Sequence, residues 1–187
     1  MRKTIKRTAI ALIIAMLLAV STYAKTKIDL TAEYDVPTVG ELQAGLLYDL
    51  KQYAEVYLEA AEEYGINVYF LCAKDGLESD WGRQTIAKNN FGGWTLLNGD
   101  YKAFDTAEQA IWYRAKNIKV MYLTPKPPDA EPNDITGDYF NGYDLAAVNI
   151  CYNGTDAWLN AVNGIWYDIE RRVARYRAER EGNDEKL

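Results

Sequence analysis

From Asp156 to about Arg180 the apolar residues Trp158, Val162, Ile165, Trp166, Ile169 and Val173 recur every three or four positions. A stretch patterned this way hides its apolar side only by coiling as an α-helix, because a strand would send alternate residues to opposite faces. Leu46, Leu47, Leu50, Tyr53, Ala54, Tyr57, Leu58 and Ala61 repeat the spacing and predict an amphipathic helix over 41–64, ended by Gly65. Asn67 stands where it can cap a further helix through Val68, Leu71, Cys72 and Asp75 to the neighbourhood of Ser79, with Gly82 as a stop. Thr106 followed by Gln109 has the form of a capping box and opens a helix through Ile111, Trp112, Ala115, Ile118 and Tyr122. Residues 124–134, TPKPPDAEPND, hold four of the five prolines and predict a loop; a helix over 143–151 follows, and Thr155 caps the last one. One segment breaks the helical rhythm. WTLL and DYKAF alternate around Asn98-Gly99, the strongest two-residue turn signal, since both residues accept the positive φ of a type I′ turn. The expected fold is therefore mostly α, with one small β-hairpin lobe beside the helices.

The first segment stands apart. MRKTIKR is basic, Ala9 to Val20 is unbroken apolar chain, and Thr22-Tyr23-Ala24 has a small-x-small cleavage pattern, so residues 1–24 read as a secretory signal peptide. That apolar run is too short to span a bilayer, which needs about 20 residues. Release from the membrane without a stable anchor is expected. Residues 25–40, rich in Thr, Asp, Val and Pro, lack periodicity and read as an extended N-terminal arm ahead of a domain over 41–187. Loss of the four basic residues Arg2, Lys3, Lys6 and Arg7 takes the formal charge from −6 to −10. An acidic surface repels nucleic acid and anionic headgroups, which are held through Lys and Arg, so nucleic acid is not an expected partner. Cys72 and Cys151 allow one bridge or two buried free thiols, and composition does not choose between them. Two thiols in a chain without histidine make a poor zinc site, so no metal or cofactor is expected.

The chemistry concentrates in LESDWGRQTIAKNNFGGW, residues 77–94. Glu78 falls near the C-terminus of its helix, where the macrodipole disfavours a second negative charge, and Leu77, Trp81 and Phe91 supply an apolar wall. Both effects favour the protonated carboxyl, which can then act as a general acid in place of histidine. Lys74 and Asp75, one turn earlier, act in opposite directions on that proton.

The run LESDWGRQTIAKNNFGGW resembles the glucosaminidases of glycoside hydrolase family 73, in which a helix ends in Glu-Ser-x-Trp-Gly and an Asn-Asn-x-Phe-Gly turn leads into a β-hairpin. FDTAEQAIWYRAKNI and CYNGTDAWLNAV are similar to that family's segments after the hairpin and before the last helix, so the likeness spans about residues 60–170. It implies a lysozyme-like α+β fold with the hairpin lobe beside a catalytic cleft, and cleavage of the β-1,4 bond after N-acetylglucosamine in peptidoglycan. It also implies Glu78 as general acid and Tyr152 as a supporting residue in the cleft. This chain departs from the pattern in its charged Lys74 and Asp75, in the missing residue before Phe91, and in its short hairpin.

A second group is needed to activate water or attack the anomeric carbon. Asp100 is the only hairpin acid, and the alternative is the substrate's own 2-acetamido oxygen assisted by Tyr152. Asn90, Phe91, Trp94 and Tyr101 are the expected substrate-binding residues, with Tyr113 a further ring; cross-strand pairing accounts equally well for Trp94 and Tyr101. Trp81, Trp112, Trp158 and Trp166 are expected in the core. The expected partner is the peptidoglycan glycan strand, met by a secreted, wall-associated monomer. A lytic transglycosylase and a non-catalytic glycan-binding module are the rival readings.

Overall fold

The computed structural model describes residues 27–96 and 98–184. The signal segment expected at 1–24 lies outside the described residues. Among those described, six α-helices account for the architecture: α1 (Val39–Gly45), α2 (Ala54–Tyr64), α3 (Val68–Ser79), α4 (Ala107–Asn117), α5 (Leu145–Tyr152) and α6 (Asp156–Asp184). A 3₁₀ segment, Tyr48–Tyr53, precedes α2, and a π turn, Ile118–Tyr122, continues α4. The predominantly α-helical character expected from periodicity is what the chain adopts. No described helix is long and apolar enough to cross a membrane.

The core is organised around α3. Every residue from Val68 to Gly76 is buried, so this helix has no solvent face until its last turn. Helices α1 and α3 pack on α6, and α2 packs on both α3 and α4. The cap at Asn67 forms as the sequence predicts: its side-chain oxygen accepts from the backbone N–H groups of Tyr69 and Phe70 at 3.0 and 3.4 Å. Thr106 likewise accepts from Gln109 N, and Thr155 from Trp158 N, both at 3.2 Å.

Two expectations need correction. The single helix over 41–64 is broken at Leu46. A Cβ on Gly45 would lie 2.8 Å from Val173 Cγ2 and 3.0 Å from Ile169 Cγ2, so α1 presses its backbone onto α6 at this point. Arg172 Nε donates to the Gly45 carbonyl at 2.6 Å, removing an acceptor the helix would need to continue. Leu46 is extended and Tyr48 takes φ 44°, a turn that lets both Leu46 and Leu50 bury fully.

The β-hairpin lobe is the second. The segment around Asn98-Gly99 makes a turn with one isolated antiparallel bridge, Thr95 to Tyr101, and no extended strand among the described residues. Leu96 N donates to Asp100 O at 2.7 Å and Lys102 N to Trp94 O at 2.9 Å.

The arm ahead of α1 contacts the core. Leu30 is fully buried, its N–H bonds the Tyr143 carbonyl and its carbonyl accepts from Asn67 N, both at 2.7 Å. The arm is therefore stitched into the core before Thr38 opens α1 with a full capping box.

Candidate active site

The Glu-Ser-x-Trp-Gly run ends α3 with an abrupt change of direction. Ser79 Oγ donates to the Asp75 carbonyl at 2.6 Å and accepts from Gly82 N at 2.8 Å, so one hydroxyl joins the helix to the loop that leaves it. Asp80 and Trp81 both take positive φ, 50° and 61°, which costs a non-glycine residue of order 1 kcal/mol or more each. The Trp81 ring folds back over Gly76, where an added Cβ would come within 3.2 Å, and Arg172 lies 5.1 Å above the ring. This packing offsets the strain. The helix accordingly stops at Ser79, before the glycine that the sequence suggested as its terminator.

Glu78 is half-buried on that last turn. Its Oε1 accepts from Trp158 Nε1 at 2.9 Å, and its Oε2 lies where a Cβ on Gly93 would be only 3.2 Å away. Gly93 itself has φ +62°. The carboxyl thus sits between the indole edge at the start of α6 and the glycine pair of the following loop.

Asn89 and Asn90 shape that loop. Asn89 takes φ 57° and donates to the carbonyls of Phe104 and Asp105 at 3.0 and 2.9 Å, closing the base of the turn. Asn90 is buried; its amide donates to Trp94 O at 2.8 Å while its oxygen accepts from Trp94 N at 2.9 Å. Its polar atoms are spent on the loop backbone, as a floor-shaping residue requires.

Behind the glycines lies a charged cluster. Lys74, Asp75 and Arg114 are each no more than 2 % exposed. Asp75 Oδ2 accepts from Tyr57 at 2.5 Å and from Arg114 at short range, while its Oδ1 accepts no hydrogen bond and faces Lys74 Nζ across 3.9 Å. Lys74 Nζ donates to the Gly92 carbonyl at 2.9 Å and stands 4.9 Å from the centre of the Tyr152 ring. Tyr152 OH donates to the same carbonyl at 3.3 Å. Burial pushes Lys74 down to about 8, with the Asp75 and Glu78 carboxylates opposing that shift and Arg114 adding to it. Burial also pushes the Tyr152 phenol well above its ordinary value, helped by the charges of Glu78 and Asp75 and opposed by Arg114. Both groups are neutral or charged for reasons that lie within this cluster.

Among the residues singled out from sequence, Glu78 and Tyr152 come together around Gly92-Gly93. Trp158, expected only as core, joins them: its ring stacks on Tyr152 at 5.0 Å with a 33° tilt. Phe91 is instead a core residue, 5 % exposed and packed against Tyr53 at 5.6 Å, because the turn folds its ring inward. Trp94 is half-buried, edge-on to Tyr113 at 5.7 Å. Tyr101 is 44 % exposed beside the single bridge. Asp100 is exposed at the turn, where its Oδ2 accepts from Asn98 Nδ2 at 2.7 Å. Cys72 is buried and Cys151 exposed, both as free thiols; they occupy different helices and no bridge forms. Cavities of about 240 and 710 Å³ open elsewhere, beside Arg177 and between the arm and α2, and Glu78 lines neither.

Two residues of the site were legible only as core or as anomaly. Trp158 carries a buried indole N–H that needs an acceptor, and Glu78 supplies it. Arg114 falls on the apolar side of α4 with Ile111 and Ala115, which signals a paired buried charge.

No family model matches the chain. It is similar to a protein of Streptococcus pneumoniae serotype 4 (strain ATCC BAA-334 / TIGR4) described as "Putative endo-beta-N-acetylglucosaminidase", with 29% identity over 130 residues, covering 66% of this chain and 18% of that protein. The protein of the same description from Streptococcus pneumoniae strain ATCC BAA-255 / R6 is also 29% identical over 130 residues, covering 66% of this chain and 17% of its own length. The chain spans less than a fifth of the length of these curated relatives. It is a distant, partial relative of proteins carrying that glycosidase description.

Proposed function

We propose that the chain is an exported peptidoglycan hydrolase that cleaves the β-1,4 bond after N-acetylglucosamine, with Glu78 as general acid. The observation that carries this reading is the seat of Glu78: a half-buried carboxyl on the last turn of a buried helix, held at one oxygen by Trp158 and facing Gly93 with the other. The description of the Streptococcus relatives supports the substrate class. In the reaction Glu78 gives its proton to the glycosidic oxygen as the bond to the anomeric carbon breaks, and water supplies the hydroxyl to that carbon. The second group is Asp100 or the 2-acetamido oxygen of the sugar, with Tyr152 beside the path. Trp94 and Tyr101 are the rings for sugar faces, and Asn90 holds the loop beneath them.

A one-acid route is the second reading. Asp100 is engaged with Asn98 in an exposed turn, which favours chemistry that asks no second carboxylate. A lytic transglycosylase works in this way, since the sugar's own hydroxyl attacks.

Mass spectrometry of the muropeptides released from purified peptidoglycan tests both. Hydrolysis leaves reducing ends at N-acetylglucosamine, and the transglycosylase route leaves an anhydro sugar. Glu78→Gln should lower digestion by at least about 10²-fold, the lower end expected for a general acid, while co-sedimentation with insoluble peptidoglycan persists. Binding by the unmodified chain with no released product would instead establish a non-catalytic glycan-binding module.

A further inference from the structure

We infer that Lys74 is a positioning residue for Glu78, acting through the Gly92 carbonyl and the Gly93 backbone; the inference rests on the acid role proposed for Glu78.

The loop at 92–93 is clamped from one side and runs beside the carboxyl on the other. Lys74 Nζ and Tyr152 OH both donate to Gly92 O, at 2.9 and 3.3 Å, so the shorter and charge-assisted bond comes from the lysine. Gly92 has no room to move inward: a Cβ there would lie 2.1 Å from Arg114 Cδ and 2.9 Å from Lys74 Nζ. The next residue, Gly93, has no side chain, and Glu78 Oε2 stands in the space beside it, where a Cβ would be only 3.2 Å away. A shift of the Gly92 carbonyl therefore reshapes the space that Glu78 Oε2 occupies beside Gly93, while the other oxygen is tethered to Trp158. A 1 Å misplacement of a reacting group can cost about 10²-fold in rate.

A buried ammonium is an expensive way to hold a loop. Desolvation opposes its charge, and Asp75, its nearest carboxylate, already bonds Arg114 and Tyr57. The groups facing Lys74 are Asp75 and Glu78 on its own helix, Arg114 on α4 and Tyr152 on α5, with Tyr57 on α2 reached through Asp75. A neutral apolar side chain at this position would fill the space without the penalty. It would leave the Gly92 carbonyl to Tyr152 alone.

The test uses the full chain and reads the indole N–H resonance of Trp158, assigned with Trp158→Phe, together with kcat and KM on soluble peptidoglycan oligomers. Lys74→Met should move that resonance and lower kcat by about tenfold or more, with KM changed by less than about twofold, the pattern of an interaction needed in the transition state. Lys74→Gln, which keeps a donor without the charge, should recover part of both. In the unmodified chain the same resonance should show an inflection near pH 8 as Lys74 titrates, a readout independent of how well either variant folds. An unmoved resonance in the variants, or no inflection in the unmodified chain, overturns the inference, as does a fall in Tm with kcat per folded molecule unchanged. If the resonance responds as expected but the unmodified chain releases no product, Lys74 positions Glu78 and the hydrolase reading is the one that fails.

Discussion

Glu78 is held at one oxygen by a group far away in sequence, Trp158 at 2.9 Å, while the other stands in the side-chain space that Gly93 leaves open, and this is what separates it from the many glutamates on solvated helix turns. A hydrogen bond to a charged group is worth about 1.5–3 kcal/mol. Trp158→Phe keeps a ring against Tyr152 and removes the donor, so kcat per folded molecule should fall by about 10- to 100-fold, with a fall in Tm as well because a buried ring is made smaller, as steady-state kinetics and calorimetry on the same preparation would show. The neighbouring Lys74 carries a pH signature in stability. Its folded value is lowered from 10.5 to about 8, so between those values the unfolded chain binds a proton that the folded chain does not. Stability then rises with pH across that window. Tyr57 and Tyr152 act the other way: burial raises them above 10.0, and the stability they contribute is lost as pH climbs beyond that value. Scanning calorimetry from pH 7 to about 10 should show the unmodified chain gaining on Lys74→Met above pH 8. A constant difference across the range would contradict this account of the buried ammonium.

At the scale of elements, α6 is the surface against which the central α3, and α1 beside it, both pack. Its apolar face was plain from spacing alone, and so was the cap at Thr155, because both depend on residues a few positions apart. The break at Leu46 was not. Periodicity continues through it unbroken, and the reason to stop is the close approach of Gly45 to Ile169 and Val173, more than a hundred positions away. Gly45→Ala tests that reason. In an isolated helix the change would add up to about 1 kcal/mol, but here the Cβ meets a packed face, and overpacking costs about 1–3 kcal/mol. A net loss of stability in chemical denaturation is expected; a gain would mean that α1 can lift from α6 freely. The short turn at Asn98-Gly99 teaches a related lesson. The dipeptide specified the reversal, while pairing beside it comes to one bridge, Thr95 to Tyr101, among the described residues.

Across the whole molecule, the buried Lys74–Asp75–Arg114 cluster joins α3 to α4, and Tyr57 and Tyr152 extend it to α2 and α5. The cohesion is thus non-covalent. Cys72 and Cys151 stand as free thiols, so adding a reductant should leave Tm unchanged, and a fall would reveal a bridge that the fold does not contain.

What the amino-acid sequence determined by itself acts over a few residues: the helices α3 to α6, the caps at Asn67, Thr106 and Thr155, the turn at Asn98-Gly99, and the motif that singles out Glu78 and Tyr152. Only the tertiary structure decided which side chains complete the site. Trp158 lies in the core, as its spacing predicts, and also donates to Glu78, while Phe91, singled out by its motif, is buried against Tyr53. The charges of Lys74 and Asp75 could be read, but not that Arg114 and a backbone carbonyl would receive them. Local periodicity reports which face of a helix is apolar. It carries no information on which distant donor a buried carboxylate will find, because that depends on how helices far apart in the chain are brought together.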